Sequence, residues 1–210
     1  LFGLETSLNP FKMHPTYLDL AASCTPSELV KELSKEQIKQ QILGETTGYT
    51  GRFNHDVAHG FHKMYPLLEN PDYEPKPQDS IASRAEKEDR DPYEYAYEVL
   101  LANNGKGLIF FPLADFAEHT LDPTYERLNH HGAFWSLSDG GAHCRLICDA
   151  STSTFMLSHW TRDRTNGPKM KIEDAVKLMT HDTAEIYGLL GDRGTLEVGK
   201  RADINVIDYD

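Results

Sequence analysis

The stretch Phe134-Trp-Ser-Leu-Ser-Asp-Gly-Gly-Ala-His143 runs four mostly apolar residues into an acid, two glycines and a histidine. A short apolar run of this kind suits a buried strand, and the acid then stands at its C-terminal end. In parallel α/β folds that end is where reactive groups gather, because the loops into the next helix begin there. Gly140 and Gly141 would let the chain turn sharply after Asp139 and keep the space in front of its carboxylate open. The alternative is a turn acid that caps the following helix.

Outward from this point, helix starts are well marked. Thr25-Pro26-Ser27-Glu28 reads as N-cap, first-turn proline and capping-box glutamate, and Ser34 with Gln37 repeats the signal ahead of Ile38 and Ile42. Asp91-Pro92 opens a third helix that stops at Asn103-Asn104-Gly105, and Asp122-Pro123 opens a fourth. Between them, Gly107 to Pro112 is a short apolar run expected to be a strand buried on both faces. Ser151 to Trp160 is expected to be helical. Ile172 to Tyr187 is the clearest helix, with Ile172, Ala175, Val176, Met179, Thr183 and Ile186 in a 3.6-residue rhythm and Gly188 as its stop. This alternation of helices and apolar runs predicts an α/β fold with a parallel sheet.

Residues 44–80 break the pattern, with Pro66, Pro71, Pro75 and Pro77 and little periodicity, and are expected to be a lid-like insertion. Tyr49, Tyr65 and Tyr73 are placed to close over a substrate. Ala202 to Asp208 alternates as a half-buried strand should, and its partner strands are expected outside the segment, upstream of Leu1.

Composition narrows the partners. Twenty-one basic against 33 acidic residues give a net charge of −12, which argues against nucleic acid or an anionic membrane. No apolar run reaches the ~18 residues of a membrane span, and no signal-peptide pattern appears, so a cytoplasmic setting is expected. Cys24, Cys144 and Cys148 form neither a zinc-ribbon spacing nor an even disulfide set, and read as small buried hydrophobes.

Ser138-Asp-Gly-Gly-Ala-His143, Cys148-Asp-Ala-Ser151, His159-Trp-Thr-Arg-Asp-Arg164 and the closing Asp192-Arg-Gly-Thr-Leu-Glu-Val-Gly-Lys-Arg-Ala-Asp-Ile-Asn-Val-Ile-Asp208 together resemble the D-aminoacylase branch of the amidohydrolase superfamily. Gly3-Leu-Glu-Thr-Ser-Leu-Asn-Pro10 and Pro71-Asp-Tyr-Glu-Pro75 resemble its larger N-acyl-D-amino-acid deacylase members. The resemblance implies the C-terminal part of a (β/α)8 TIM-barrel-like metal-dependent hydrolase over residues 1–190, with 191–210 returning into a small β-domain. It implies one or two Zn2+ ions and hydrolysis of the amide of an N-acyl-D-amino acid. It also makes Asp139 the acid that takes a proton from metal-bound water and gives it to the leaving amine, beside a metal that it helps to ligate. The alternatives are a cyclic-amide hydrolase of the dihydroorotase or hydantoinase kind, and a non-catalytic partial barrel that self-associates as a homo-oligomer or joins a missing N-terminal half.

The family's His-x-His pair occurs nowhere in these 210 residues, so the remaining metal ligands are expected outside this chain. His143 either contacts the substrate or is structural. Arg145 either pairs with a substrate carboxylate through its planar fork or lies on the surface. His55, Asp56, His59 and His62 have a superficially zinc-like spacing, but Asn54 and Gly60 make a poor helix, so solvated loop histidines are expected. His130-His131 is expected at the far end of the barrel, away from chemistry. Arg162, Asp163 and Arg164 are expected to form a solvated, ion-paired helix end, and Phe155, Met156 and Trp160 a helix core.

Overall fold

The computed structural model describes residues 1–47, 50–112, 115–116, 118–136, 140 and 150–209. The chain divides into two compact units, Leu1–His119 and Thr120–Asp210.

In the first unit, helices α1 (Pro15–Ser23), α2 (Pro26–Leu33) and α3 (Glu36–Gly44) follow in quick succession. The capping box at Thr25 and Glu28 forms as expected. The next helix does not begin at Ser34: its N-cap is Lys35, because the Ser34 hydroxyl donates back to the Val30 carbonyl (2.7 Å) and closes α2 instead. Helix α4 (Arg52–His59), strand β1 (Tyr65–Leu67) and helix α5 (Ile81–Lys87) come next. Asp91 caps α6 (Pro92–Gly105) by accepting from the Tyr93 and Glu94 N–H groups. That helix breaks where Asn103 and Asn104 take positive φ of 52° and 58°, a conformation asparagine tolerates better than most residues. Strand β2 (Leu108–Phe110) follows.

The expected strand at 107–112 is present, but its pairing is antiparallel. Tyr65, Pro66 and Leu67 face Phe110, Ile109 and Leu108. On the other side of β2, Phe2 and Ile109 exchange both backbone hydrogen bonds at 2.8 Å. Ile109 thus spends its N–H and C=O on Phe2, so Pro66 opposite it needs no N–H of its own, and proline is tolerated within β1. Nor is the strand buried on both faces as expected: only Ile109 is buried, while Leu108 and Phe110 are half-buried, and a three-residue apolar run does not itself tell a parallel partner from an antiparallel one.

Residues 44–80 are less irregular than their proline content suggests. They contain α4 and β1, and Val57, Ala58, Phe61, Met64 and Tyr65 are buried. Tyr65 is a core residue whose hydroxyl meets His119 (3.1 Å), not an exposed ring above a cleft; Tyr73 packs edge-on against Phe110, and Tyr49 lies outside the described residues. The core joins Phe2, Phe11, Tyr17, Leu33, Ile42, Tyr97, Leu100 and Ile109. Asn9, 1% exposed, ties the N-terminal motif together: its amide donates to the Gly3 carbonyl and the Tyr17 hydroxyl (both 3.1 Å), and its carbonyl accepts from the Phe11 N–H (2.9 Å). All its polar atoms are used, as burial demands.

The second unit contains α7 (Asp122–Leu128), α8 (Thr152–Phe155), which runs on as a π-helical segment to Asp163, and α9 (Ile172–Lys177), which passes through π-turns at Leu178–Asp182 into α10 (Thr183–Ile186). Met156, Trp160, Met170, Ala175 and Leu178 form its core, so the expected role of Met156 and Trp160 holds. The expected stripe along 172–187 does not hold throughout. Ala175 is buried, but Val176 is 39% and Ile186 51% exposed, while Leu178 and Ala184 turn inward. The π-turns at Leu178–Asp182 add a residue to the turn, so the side chains after them, Ile186 included, rotate away from the 3.6-residue rhythm; Val176 precedes them and is exposed on α9 itself.

Arg164 is another correction. Its side chain is wholly buried, not solvated, and donates to Asp122 (2.6 Å) and to the Pro168 carbonyl (2.8 Å). Arg162 does pair with Asp163 at the surface. Residues 134–136 form no strand, and Leu137 lies outside the described residues. Residues 202–209 form no strand either: Ile204, Val206 and Ile207 are exposed, and no neighbour among the described residues completes a ladder. Gly194, at φ 93°, lies so close to Ala184 that a Cβ would come within 2.6 Å of the alanine Cβ, which explains a glycine inside the closing motif. Among the described residues no helix is long and apolar enough to cross a membrane.

Candidate functional site

Of the residues expected to carry the chemistry, Asp139, Gly141, His143 and Arg145 lie outside the described residues, as do Cys144 and Cys148. Gly140 is described and has φ 75°, in the left-handed region that favours glycine. Trp135 packs against the Met156 and Trp160 core, and its carbonyl accepts from the Thr183 hydroxyl (3.4 Å).

A cavity of about 490 Å3 in the second unit brings together His130, His131, Asp174, Lys177, Asp182 and Glu185 over an apolar floor that includes Leu128 and Leu178. The two adjacent imidazoles lie 4.3 Å apart between ring centres. They share this cavity with three carboxylates. Asp182 accepts from Lys177 (2.6 Å) and sits 2.8 Å from His181 Nδ1. Burial pushes the Asp182 carboxyl up, but the bonds from Lys177 and His181 outweigh it and hold the group below the usual carboxylate range. His181, Asp182 and Glu185 bring one ligand atom each within 4.8 Å of one another. A cation there would compete with Lys177 for Asp182. Sequence reading passed over this group because its members fall on a stretch read only for apolar rhythm; the His181 to Glu185 spacing of one helical turn was the available signal.

The first unit holds a second histidine group. His14, the N-cap of α1, is 4% exposed, and its Nδ1 is 3.7 Å from Glu45 Oε2 with no hydrogen bond. The Glu45 carboxylate accepts from the Thr16 N–H (3.1 Å) and the Thr16 hydroxyl. His59 closes α4, engages the Tyr93 hydroxyl through Nδ1, and lies 4.6 Å from His55 between ring centres. The loop expected around these histidines is therefore a helix, which Gly51 starts and Gly60 ends without interrupting. His62, just beyond it, is exposed.

Burial pushes the His14 imidazole below its usual 6.5; the Ile42 carbonyl that accepts from the ring and the Glu45 carboxylate oppose this, and His59 adds to it. An unfolded His14 takes up its proton near 6.5, the folded one only at lower pH, so in that window the unfolded chain binds more protons. Stability is then expected to fall as the pH drops below 6.5, and His14→Gln to flatten the fall. Thermal melts across this range check it; identical slopes in both proteins would remove His14 as the cause.

Comparison with known families gives one match: the amidohydrolase family model covers residues 102–210, just over half of the chain and including Ser138 to His143. No curated protein and no solved structure matches. Members of the amidohydrolase superfamily are TIM-barrel-like hydrolases that commonly use metal ions. The chain belongs to the amidohydrolase family.

Proposed function

We propose that this chain is the C-terminal part of a metal-dependent hydrolase that cleaves the linear amide of N-acyl-D-amino acids, with Asp139 as its proton-transfer group. The observation that supports this reading is the family match across residues 102–210, which spans the Asp139-Gly-Gly turn. In amide hydrolysis water adds to the carbonyl carbon and the C–N bond breaks. An amide anion is too basic to leave, so the nitrogen must be protonated as it departs. The Asp139 carboxylate accepts a proton from the attacking water and passes it to that nitrogen, so one group serves both half-steps. Gly140 and Gly141 leave room for the substrate beside it. His143 and Arg145 contact the substrate, Arg145 through its carboxylate.

The metal implied by the family would polarise the scissile carbonyl and lower the pKa of a bound water. Among the described residues nothing makes that centre. The sequence has no His-x-His pair, and among the described residues the one close-set trio, His181, Asp182 and Glu185, has its aspartate already held by Lys177. The remaining ligands are therefore assigned to residues outside these 210.

Parallel assays with N-acetyl-D-amino acids, their L-forms and hydantoins test the substrate class. Faster release of amine from the D-series is expected. Ring opening of hydantoins with no action on linear amides would replace this reading with the cyclic-amide one.

A further inference from the structure

We propose that Asn166 is a site of spontaneous deamidation, and that its isoaspartate product lifts Gly167 off the buried Arg164–Asp122 pair. The sequence holds two Asn-Gly steps, Asn104-Gly105 and Asn166-Gly167. Such a step is open to deamidation because glycine puts no side chain between its backbone nitrogen and the asparagine amide. The structure separates the two. Asn166 and Gly167 are exposed and form a bend, and the Gly167 N–H makes no backbone hydrogen bond among the described residues. Gly105 is buried: a Cβ there would run into the Val30 side chain and stand 3.2 Å from Leu4 Cδ1. The Lys106 and Gly107 N–H groups that follow both donate to the Ala102 carbonyl (3.1 and 3.0 Å). The Gly105 nitrogen therefore reaches the Asn104 side chain only after this end of α6 opens.

The chemistry needs only water. The Gly167 nitrogen gives up its proton to solvent base and attacks Asn166 Cγ. The new N–Cγ bond closes a five-membered imide, the Cγ–Nδ2 bond breaks, and the amide nitrogen leaves as ammonia with a proton from water. Water then adds to one of the two imide carbonyls and opens the ring. Opening on one side leaves an ordinary aspartate; opening on the other routes the main chain through Cβ and Cγ, which is isoaspartate. Nothing is oxidised or reduced.

The two products differ in what they do to the loop. Its ends are fixed: the Arg164 N–H donates to the His159 carbonyl (2.9 Å) and the Met170 N–H to the Trp160 carbonyl (2.8 Å). Gly167, at φ 128°, lies so close to the buried pair that a Cβ would run into Asp122 Oδ1 and stand 2.7 Å from Arg164 Nη2. Isoaspartate lengthens the main chain by one carbon between these fixed ends. Close packing leaves no space inward, so the bend must move outward. It carries Pro168 with it, whose carbonyl accepts from Arg164 Nη1 (2.8 Å). Aspartate adds only a charge at an exposed position.

The test is peptide mapping by mass spectrometry of the whole natural protein aged at mildly alkaline pH, with fragmentation that tells isoaspartate from aspartate. Conversion at Asn166 is expected to outrun that at Asn104 by about tenfold or more, because the second waits on local opening. Hydrogen exchange at the Arg164 and Met170 amides should speed up in the isoaspartate form. In freshly prepared Asn166→Asp it should match the unaged wild type, which separates the added carbon from the added charge. Asn166→Gln would have to close a larger ring, and should age with neither conversion nor faster exchange. No conversion at Asn166, equal rates at the two asparagines, or exchange unchanged in the isoaspartate form would overturn the proposal, as would the same acceleration in Asn166→Asp.

Discussion

Replacing Asp139 with asparagine is expected to lower kcat for an N-acyl-D-amino acid by about 10²–10⁴-fold, with KM and the circular dichroism spectrum little changed. Asparagine keeps the size and planar shape of the side chain but cannot take up the proton released by the attacking water, nor return one to the departing nitrogen. The loss should therefore appear in the chemical step, not in binding. Steady-state kinetics on the whole natural protein, with the fold checked in parallel, measures it. Wild-type kcat in the variant would remove Asp139 from the mechanism and turn the Gly140 conformation into a plain structural turn.

The largest expected loss of stability is at Arg164. Its side chain is 0% exposed, its guanidinium bonds Asp122 and the Pro168 carbonyl, and it lies 5.1 Å from the Trp160 ring and 5.8 Å from that of Tyr125. Arg164→Ala removes these bonds and opens a cavity beside the core of the second unit. We expect a cost of about 3 kcal/mol, below the upper range for broken buried pairs. Asp122 is 51% exposed and water recovers its charge, which sets that limit. Lysine should not rescue the site, because a point charge cannot bond two partners and lie over two rings at once. Both tryptophans, Trp135 and Trp160, are in this unit, so fluorescence-detected urea unfolding reads it directly. A loss below about 1 kcal/mol would mean that Arg164 is buried without contributing to stability.

What the sequence made legible was mostly local. The Thr25 to Glu28 capping box, the Asp91 cap, the asparagine stop of α6 and the glycine stop at Gly188 each depend on chemistry within four residues, and each forms. What was not legible depends on partners distant in sequence. The antiparallel pairing of β2 is set by Phe2 and by Tyr65 to Leu67, which no periodicity announces. Arg164 reads as a surface charge until Asp122, 42 residues earlier, is seen beside it. The π-turns at Leu178–Asp182 carry no residue signature, yet they move the buried face of the helix that follows. The histidines show the same division. His55 and His59 were visible as a spacing, whereas the burial of His14 and its approach to Glu45 required the packing of α1 on α3. The Asp139 turn was read from its motif and from the family it resembles, and the family match covers the same residues.

The most direct test of the central claim is release of free amine from an N-acetyl-D-amino acid by the whole natural protein, measured before and after removal of metal with a chelator. The account predicts hydrolysis that disappears on chelation and returns when a divalent ion is restored. Hydrolysis indifferent to chelation, or no release of amine from any acylated amino acid, would contradict it.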